Sequence, residues 1–417
     1  MVKRPGSLET LRRRLARLQG PAPGDPALQR RLRRYARVRR PDPRLLARRL
    51  GGRLLDEGRL VAFERRFPAP SRYLEHAPLL TLGQVPEPLD LHQVVFLDLE
   101  ATGTSFGLGN LPFLVAIGAF QQGEWTVRQY LLTDPAYEVH LHHRLVALLQ
   151  TYEVVATYNG KSFDLRLLEH RWRYLGIPVL GFQVHLDVYH LVRRLLPPGR
   201  PAHLRAAEVD IAGLRREHDI PSQEVPAAYF AYLHRGVLEN LRRAVLHNRW
   251  DVFSLPWILH GLDRRVMQGL EAPDPWTLFA LGRLHERLGA VGQAMRFYRR
   301  AAARSLGDLR IRALVRLARG HQRIRQYSEA ARLWQQILAE DPGHPEALLQ
   351  LAKYYEHRER DLPRALRLAL RLPDTHERRH RVRRLLKKLR TLEEATRLQT
   401  PTLLREKGLD LAPGGGG

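Results

Sequence analysis

Cysteine is absent from the chain, which excludes disulfides and thiolate metal centres and fits a cytoplasmic protein. Long apolar runs are missing as well. No stretch approaches the length a membrane span needs, and the basic start MVKRPGSLETLRRRLARL has no apolar core of signal-peptide length. Acids are in short supply: 43 Asp and Glu stand against 69 Lys and Arg, a formal net charge of +26 with a pI near 11.1. Lysine is scarce, so nearly all of that charge is arginine, which forks onto phosphates with two donors. Such an excess draws polyanions, and nucleic acid is the first partner to expect; solubility alone is the plainer use of the charge. The 417 residues, 44% of them hydrophobic, leave room for two or three domains with a substantial core.

Three regions follow along the chain. Residues 1–85 are rich in Arg, Leu and Pro, and LETLRRRLARL and RRLRRYARVRR place apolar and basic residues at helical spacing on either side of the turn-forming GPAPGDP. They read as short basic amphipathic helices or a partly disordered arm, with VPEPLDLHQ as a linker. Residues 86–265 show a mixed α/β pattern. VVFL, PFLVAIGAF and WTVRQYLLT are strands, the last two joined at QQGE, and HLHHRLVALLQTY, SFDLRLLEHRWRYLG and VLENLRRAVLHNRWDVFSLPWILHGL are helices, with a break expected at Pro256. The sum is an open mixed sheet covered by helices. Residues 272–400 hold three helical segments at a period near 35 residues, in which Ala294, Ala330 and Ala365 occupy the same place. They resemble the tetratricopeptide repeat, which implies an all-α stack that binds a protein partner or guides substrate. A basic capping helix ends the stack, and residues 401–417, closing on PGGGG, read as a disordered tail.

Chemistry is concentrated between the leader and the repeats. In VVFLDLEATG, Asp98 and Glu100 are two apart on a strand and share one face. Two like charges side by side need neutralising, and a divalent cation does so. ATYNGKSFDLRLL puts Asp164 at a helix start, with Asn159 and Lys161 in the turn before it. HNRWDVFSL puts Asp251 on a late helix, one turn after His247 on the same face. Asp187, ending VHLDV, stands apart as a supporting residue or a further ligand. Asp98, Glu100, Asp164 and Asp251 are expected to converge at the carboxyl edge of the sheet. Oxygen donors of this kind suit Mg²⁺ or Mn²⁺, two of which stabilise both oxygens in phosphodiester cleavage, with His247 as general base on the attacking water.

FLDLEATG, YNGKSFDLRLL and HNRWDVFSL, in that order, resemble the DEDD family of 3′–5′ exonucleases, and within it the YprB-like branch. The resemblance covers about residues 90–262. It implies an α/β ribonuclease H-like domain, a mixed sheet flanked by helices, ahead of the all-α tetratricopeptide-like repeats. It implies metal ligation by Asp98, Glu100, Asp164 and Asp251 and hydrolysis of a DNA or RNA single strand from its 3′ end. Thr102 and Gly103 would line the terminal nucleotide, and Asn159, with Lys161 nearby, would hold the strand. One departure is plain: His247 stands four before the last acid, where that spacing in the family carries tyrosine. A nuclease fold without useful turnover, acting as a nucleic-acid or protein adaptor, is the competing expectation.

Overall fold

The computed structural model describes residues 42–85, 87–103 and 109–406, with backbone alone for 395–406. The two basic segments expected before residue 42 and the glycine-rich end lie outside the described residues. The chain divides into two compact units, with the division between Met267 and Gln268.

In the first unit, helix α1 (Pro43–Leu50) and strands β1 (Arg53–Leu55) and β2 (Leu60–Pro68) come first. A small ribbon of β3 (Tyr73–Leu74) and β4 (Leu89–Asp90) brackets α2 (Ala77–Thr81). There follow β5 (Val94–Ala101), β6 (Pro112–Gln121), β7 (Glu124–Leu132), α3 (Glu138–Leu149), β8 (Val154–Thr157), α4 (Asp164–Leu175), β9 (Val184–Asp187) and α5 (Val188–Leu195). The unit ends with α6 (Leu204–Ala207), α7 (Val225–Arg235), α8 (Glu239–Phe253) and α9 (Leu255–Met267). One seven-stranded sheet runs β1-β2-β7-β6-β5-β8-β9. Its β1 to β5 side is antiparallel, whereas β8 and β9 join parallel to β5.

β5 lies between β6 and β8 because Val94, Val95, Phe96 and Leu97 are wholly buried, as a β-branched and aromatic run buried on both faces must be. Phe96 meets Trp125 edge-on at 5.0 Å, while Leu97 and Leu99, on the opposite face, join the core with Leu145 of α3 and Leu168 and Trp172 of α4. The hairpin expected at QQGE forms with Gln122 and Gly123 both at positive φ (50° and 82°), the geometry that suits the right-handed twist of a two-residue turn. Helix α8 stops at Phe253 and α9 starts at Leu255, so the expected break is present, with Pro256 in a first turn that needs no N–H from it.

The expected boundary at residue 86 is corrected by β1 and β2. β2 pairs with β7 along its whole length, from Leu60↔Leu132 to Pro68↔Glu124, so the sheet takes in residues assigned above to a basic leader. Within that arginine-rich stretch, Leu60–Phe63 is a four-residue apolar run, and all four are buried. The stretch read as a linker is packed as well, with Val85, Leu89 and Leu91 buried.

The second unit is helical throughout its described residues. Helix pairs α10 (Pro275–Arg287) with α11 (Val291–Arg304), α12 (Gly307–Arg323) with α13 (Tyr327–Glu340), and α14 (Pro345–Tyr354) with α15 (Leu362–Leu370) precede α16 (His376–Glu406). Asp274, His344 and Asp361 accept hydrogen bonds from first-turn amides, and a proline follows within the first two helical positions, which fixes where these helices begin. Ala294, Ala330 and Ala365 are buried on the second helix of each pair, where a methyl lets helices approach. The helix α16 continues six residues past the expected start of the tail at 401.

Candidate metal centre

Strand alternation turns Asp98 and Glu100 to one face of β5, at its carboxyl end, just before the register slips between Glu100 and Ala101. α8 packs across β5, β6 and β7 and brings His247, Asn248 and Asp251 to that place. Glu100, His247 and Asp251 offer ligand atoms that all lie within 4.8 Å of one another. His247 Nε2 is 3.8 Å from Glu100 Oε1 and 3.5 Å from Asp251 Oδ2. Asp98 and Asp164 lie outside that tight trio but inside its field. Burial pushes the Asp98 carboxyl well above the usual range, and the charges of Asp251, Asp164 and Glu100 push it further. Glu100 is raised by burial, then by Asp251 and Asp164. Asp164 is pushed up to about 7, first by burial and then, against hydrogen bonds from its own backbone and that of Leu99, by Asp187 and Asp251. The charge of Asp251 thus bears on each of the other three acids read from the sequence.

Three partners were not anticipated. Arg216, with 2% of its side chain exposed, holds Glu208 through Nη2 at 2.5 Å and Nε at 2.8 Å, and reaches Asp251 Oδ1 at 2.5 Å. Burial disfavours its charge, yet Asp251 and Glu208 raise its pKa above the ordinary arginine value. Asp219 Oδ1 lies 2.8 Å from His247 Nδ1. An ionised carboxylate only accepts, so Nδ1 carries the proton and Nε2 faces the acids. Burial works against the Asp219 charge, but the hydrogen bond from His247, with Arg216 beside it, keeps its pKa low. Ser222 Oγ is 3.2 Å from Nε2 and completes a serine-histidine-aspartate row. An oxyanion formed there would meet Glu100 and Asp251, so the row suits activation of a water better than attack by the serine.

Asp98 is held by a chain of amides. Arg249 Nε donates to Gln129 Oε1 (3.1 Å), Gln129 Nε2 to Asn248 Oδ1 (2.9 Å), and Asn248 Nδ2 to Asp98 Oδ2 (2.7 Å). Gln129 and Asn248 are completely buried. A guanidinium only donates and a carboxylate only accepts, so the two ends dictate which way each amide points. One oxygen of Asp98 is thereby committed to Asn248.

The remaining expected residues sit at the rim. Asp187 is 2% exposed and accepts from the backbone N–H of Asn159 (2.8 Å) and of Lys161 (3.1 Å), the supporting part foreseen as one of its two roles. Asn159 adopts φ 63°, and a Cβ on Gly160 would lie 2.4 Å from Thr157 Oγ1, so the turn admits little but Asn-Gly. The side chains of Asn159 and Lys161 are exposed. Thr102 Oγ1 accepts from Leu111 N–H (3.1 Å) and lies 3.2 Å from Gly109 O, so this hydroxyl closes the β5–β6 connection, with Gly103 beside it against Asn110.

Arg216 and Asp219 fall in the irregular stretch between Gly213 and Pro221, where no helical or strand period marks a residue as inward-facing. Asn248, by contrast, stands next to His247 within HNRWD and could have been found there.

Comparison with known proteins agrees with this architecture. Residues 95–262 match the model of the RNase_H superfamily, and residues 277–310 and 325–389 match tetratricopeptide repeat models. The chain is 27% identical over 284 residues to the uncharacterized protein YprB of Bacillus subtilis (strain 168), which takes in 67% of this chain and 68% of that protein. A family B DNA polymerase from the hyperthermophilic archaeon Pyrobaculum calidifontis aligns over 53% of this chain and 30% of its own at 17% identity, with a TM-score of 0.33, too slight a likeness to argue from. No described helix is long and apolar enough to cross a membrane. From its strands and these matches, the chain carries an RNase H-like domain over residues 95–262 and tetratricopeptide repeats within residues 277–389.

Proposed function

We propose that the first unit is a divalent-metal-dependent nuclease, a 3′–5′ exonuclease of the DEDD type acting on single-stranded DNA or RNA. The observation that carries this reading is the meeting of Glu100, Asp251 and His247 within 4.8 Å, with Asp98 on the same face of the same strand and the histidine fixed by its own carboxylate. The donor chemistry fits a hard cation. Arg216 is the one guanidinium shared by Glu208, Asp219 and Asp251, and the neutral His247 bonds Asp219 without adding charge. This leaves the four carboxylates with an excess of negative charge that two Mg²⁺ or Mn²⁺ ions would offset. Such ions, when bound, would orient the scissile phosphate and stabilise the entering and leaving oxygens.

The chain's own residues do the rest. Asn248 turns Asp98 so that its second oxygen is left to the cluster, and Asp219 holds His247 so that Nε2 takes a proton from water. Asn159 and Lys161 are exposed on the rigid turn, which supports their reading as residues that hold the strand. A cysteine-free chain with this chemistry suits the cytoplasm.

The test is purified protein on 3′- and 5′-labelled DNA and RNA single strands, with Mg²⁺, Mn²⁺ or EDTA. Metal-dependent shortening from the 3′ end, lost in Asp98→Ala, is expected; shortening that survives the substitution overturns the reading. A second reading, an adaptor with little or no turnover, draws on Arg216, whose Nη1 already engages Asp251 Oδ1 at 2.5 Å. Binding without turnover across all these substrates would favour it.

A further inference from the structure

The helix α16 carries eight arginines and lysines between His376 and Glu394, and they divide by face. Arg381, Arg384 and Lys388 turn inward onto the buried Glu356, with Arg384 Nη2 at 2.6 Å from Oε2 and Lys388 Nζ at 2.8 Å from Oε1. These three explain how the helix docks on its own repeat. Arg383, Lys387 and Arg390 do not take part. They follow one another at i, i+4 and i+7, within about 60° of one side of the helix and over about 10 Å of its length. All three are exposed, and among the described residues none of them forms an ion pair.

On the docking side, a cavity of about 630 Å³ is lined by Glu356, Arg360, Leu362, Arg384 and Lys388, and Lys387 is where it meets the row. Leu386, three residues after Arg383 and four before Arg390, is 41% exposed, so an apolar side chain stands beside the row. Docking already uses the other face, and solubility needs no alignment of charges. We propose that this face of α16 binds the phosphodiester backbone of single-stranded nucleic acid, which makes the repeat unit a substrate anchor. Arginine's fork matches phosphate oxygens, and the exposed Leu386 between Arg383 and Arg390 can lie against an unpaired base. The proposal shares with the nuclease reading the kind of substrate and nothing of its chemistry.

The experiment uses the full chain in EDTA, where no turnover is expected, and measures fluorescence anisotropy of labelled oligo(dT) and oligo(U) across a salt series. Replacing Arg383, Lys387 and Arg390 together by Gln removes three phosphate contacts. At about 0.7 per contact on a single strand, the slope of log K against log salt should fall by about 2, on the order of a hundredfold in affinity at 0.1 M salt. A matched triple, Arg296→Gln with Arg299→Gln and Arg332→Gln, removes the same charge elsewhere on the unit and should change the slope little. An unchanged slope in the first triple, an equal fall in the second, or displacement of the strand by poly-glutamate at equal charge overturns the proposal. Thermal midpoints equal to that of the parent chain show that both triples fold. Binding lost with cleavage kept, or the reverse, separates this proposal from the nuclease reading.

Discussion

In the first unit Arg216 has 2% of its side chain exposed and touches carboxylates of Glu208, Asp219 and Asp251, whereas in the second Arg383 and Arg390 lie exposed on a helix face. The same side chain faces opposite conditions. Buried among acids, its charge is fixed in place, and removing it strands several carboxylates away from water. Exposed to solvent, it costs the fold almost nothing and is available to a passing anion. Charge in the first unit is therefore part of the architecture, while on α16 much of it is not.

Substitutions can break that contrast, and Arg216→Met should have the largest effect. It leaves Glu208 and Asp251 without their cation and should cost about 3–5 kcal/mol, read as a lowered urea midpoint. A loss under 1 kcal/mol would mean that water already reaches the cluster. Asp98→Ala or Glu100→Ala should abolish metal-dependent cleavage by about three orders of magnitude, as loss of several kcal/mol of transition-state stabilisation requires, and should leave binding to oligo(dT) in EDTA unchanged.

pH sharpens the comparison further. Asp98, Glu100 and Asp164 hold their protons in the folded chain to higher pH than in the unfolded one, Asp164 up to about 7. Between about pH 4 and 7 the unfolded state then binds fewer of these protons, so the three acids make metal-free stability fall as pH rises through that window, while His185, lowered to about 4 by burial, acts in the opposite sense. Thermal midpoints at pH 5 and 8 of the metal-free parent and of Asp164→Asn isolate the acids' part. The parent should lose more stability, or gain less, than the variant across the window, and Mn²⁺ should narrow the difference; equal changes in the two proteins would contradict the shift of Asp164.

Gln129→Leu cuts the amide chain and should cost about 1–3 kcal/mol, with Mn²⁺ affinity about 10- to 100-fold weaker by calorimetry. At the small end, Arg383→Ala should move stability by less than about 0.5 kcal/mol.

Much of the architecture could be read from local pattern. The strand VVFL with its two acids, the repeat alanines and the break before Pro256 each follow a period or a steric rule, and each appears where expected. What pattern could not supply were residues whose role is set by distant packing. Arg216 and Asp219 lie on an irregular segment, and Gln129 sits 119 residues from Asn248, in a strand where a buried amide looks like an interruption. β2 was hidden for another reason: averaging over an arginine-rich stretch masked four apolar residues.

The turn after β8 carries a consequence for recognition. Successive main-chain amides at such a bend commonly cup a phosphate, but here those of Asn159 and Lys161 already point at Asp187. The fold has filled its own anion seat with an internal mimic, so a strand passing this corner can be gripped only by what projects outward. Of the two exposed side chains at the corner, Asn159 is kept by the left-handed turn, which leaves Lys161 as the one open to exchange on a loop whose main chain cannot change.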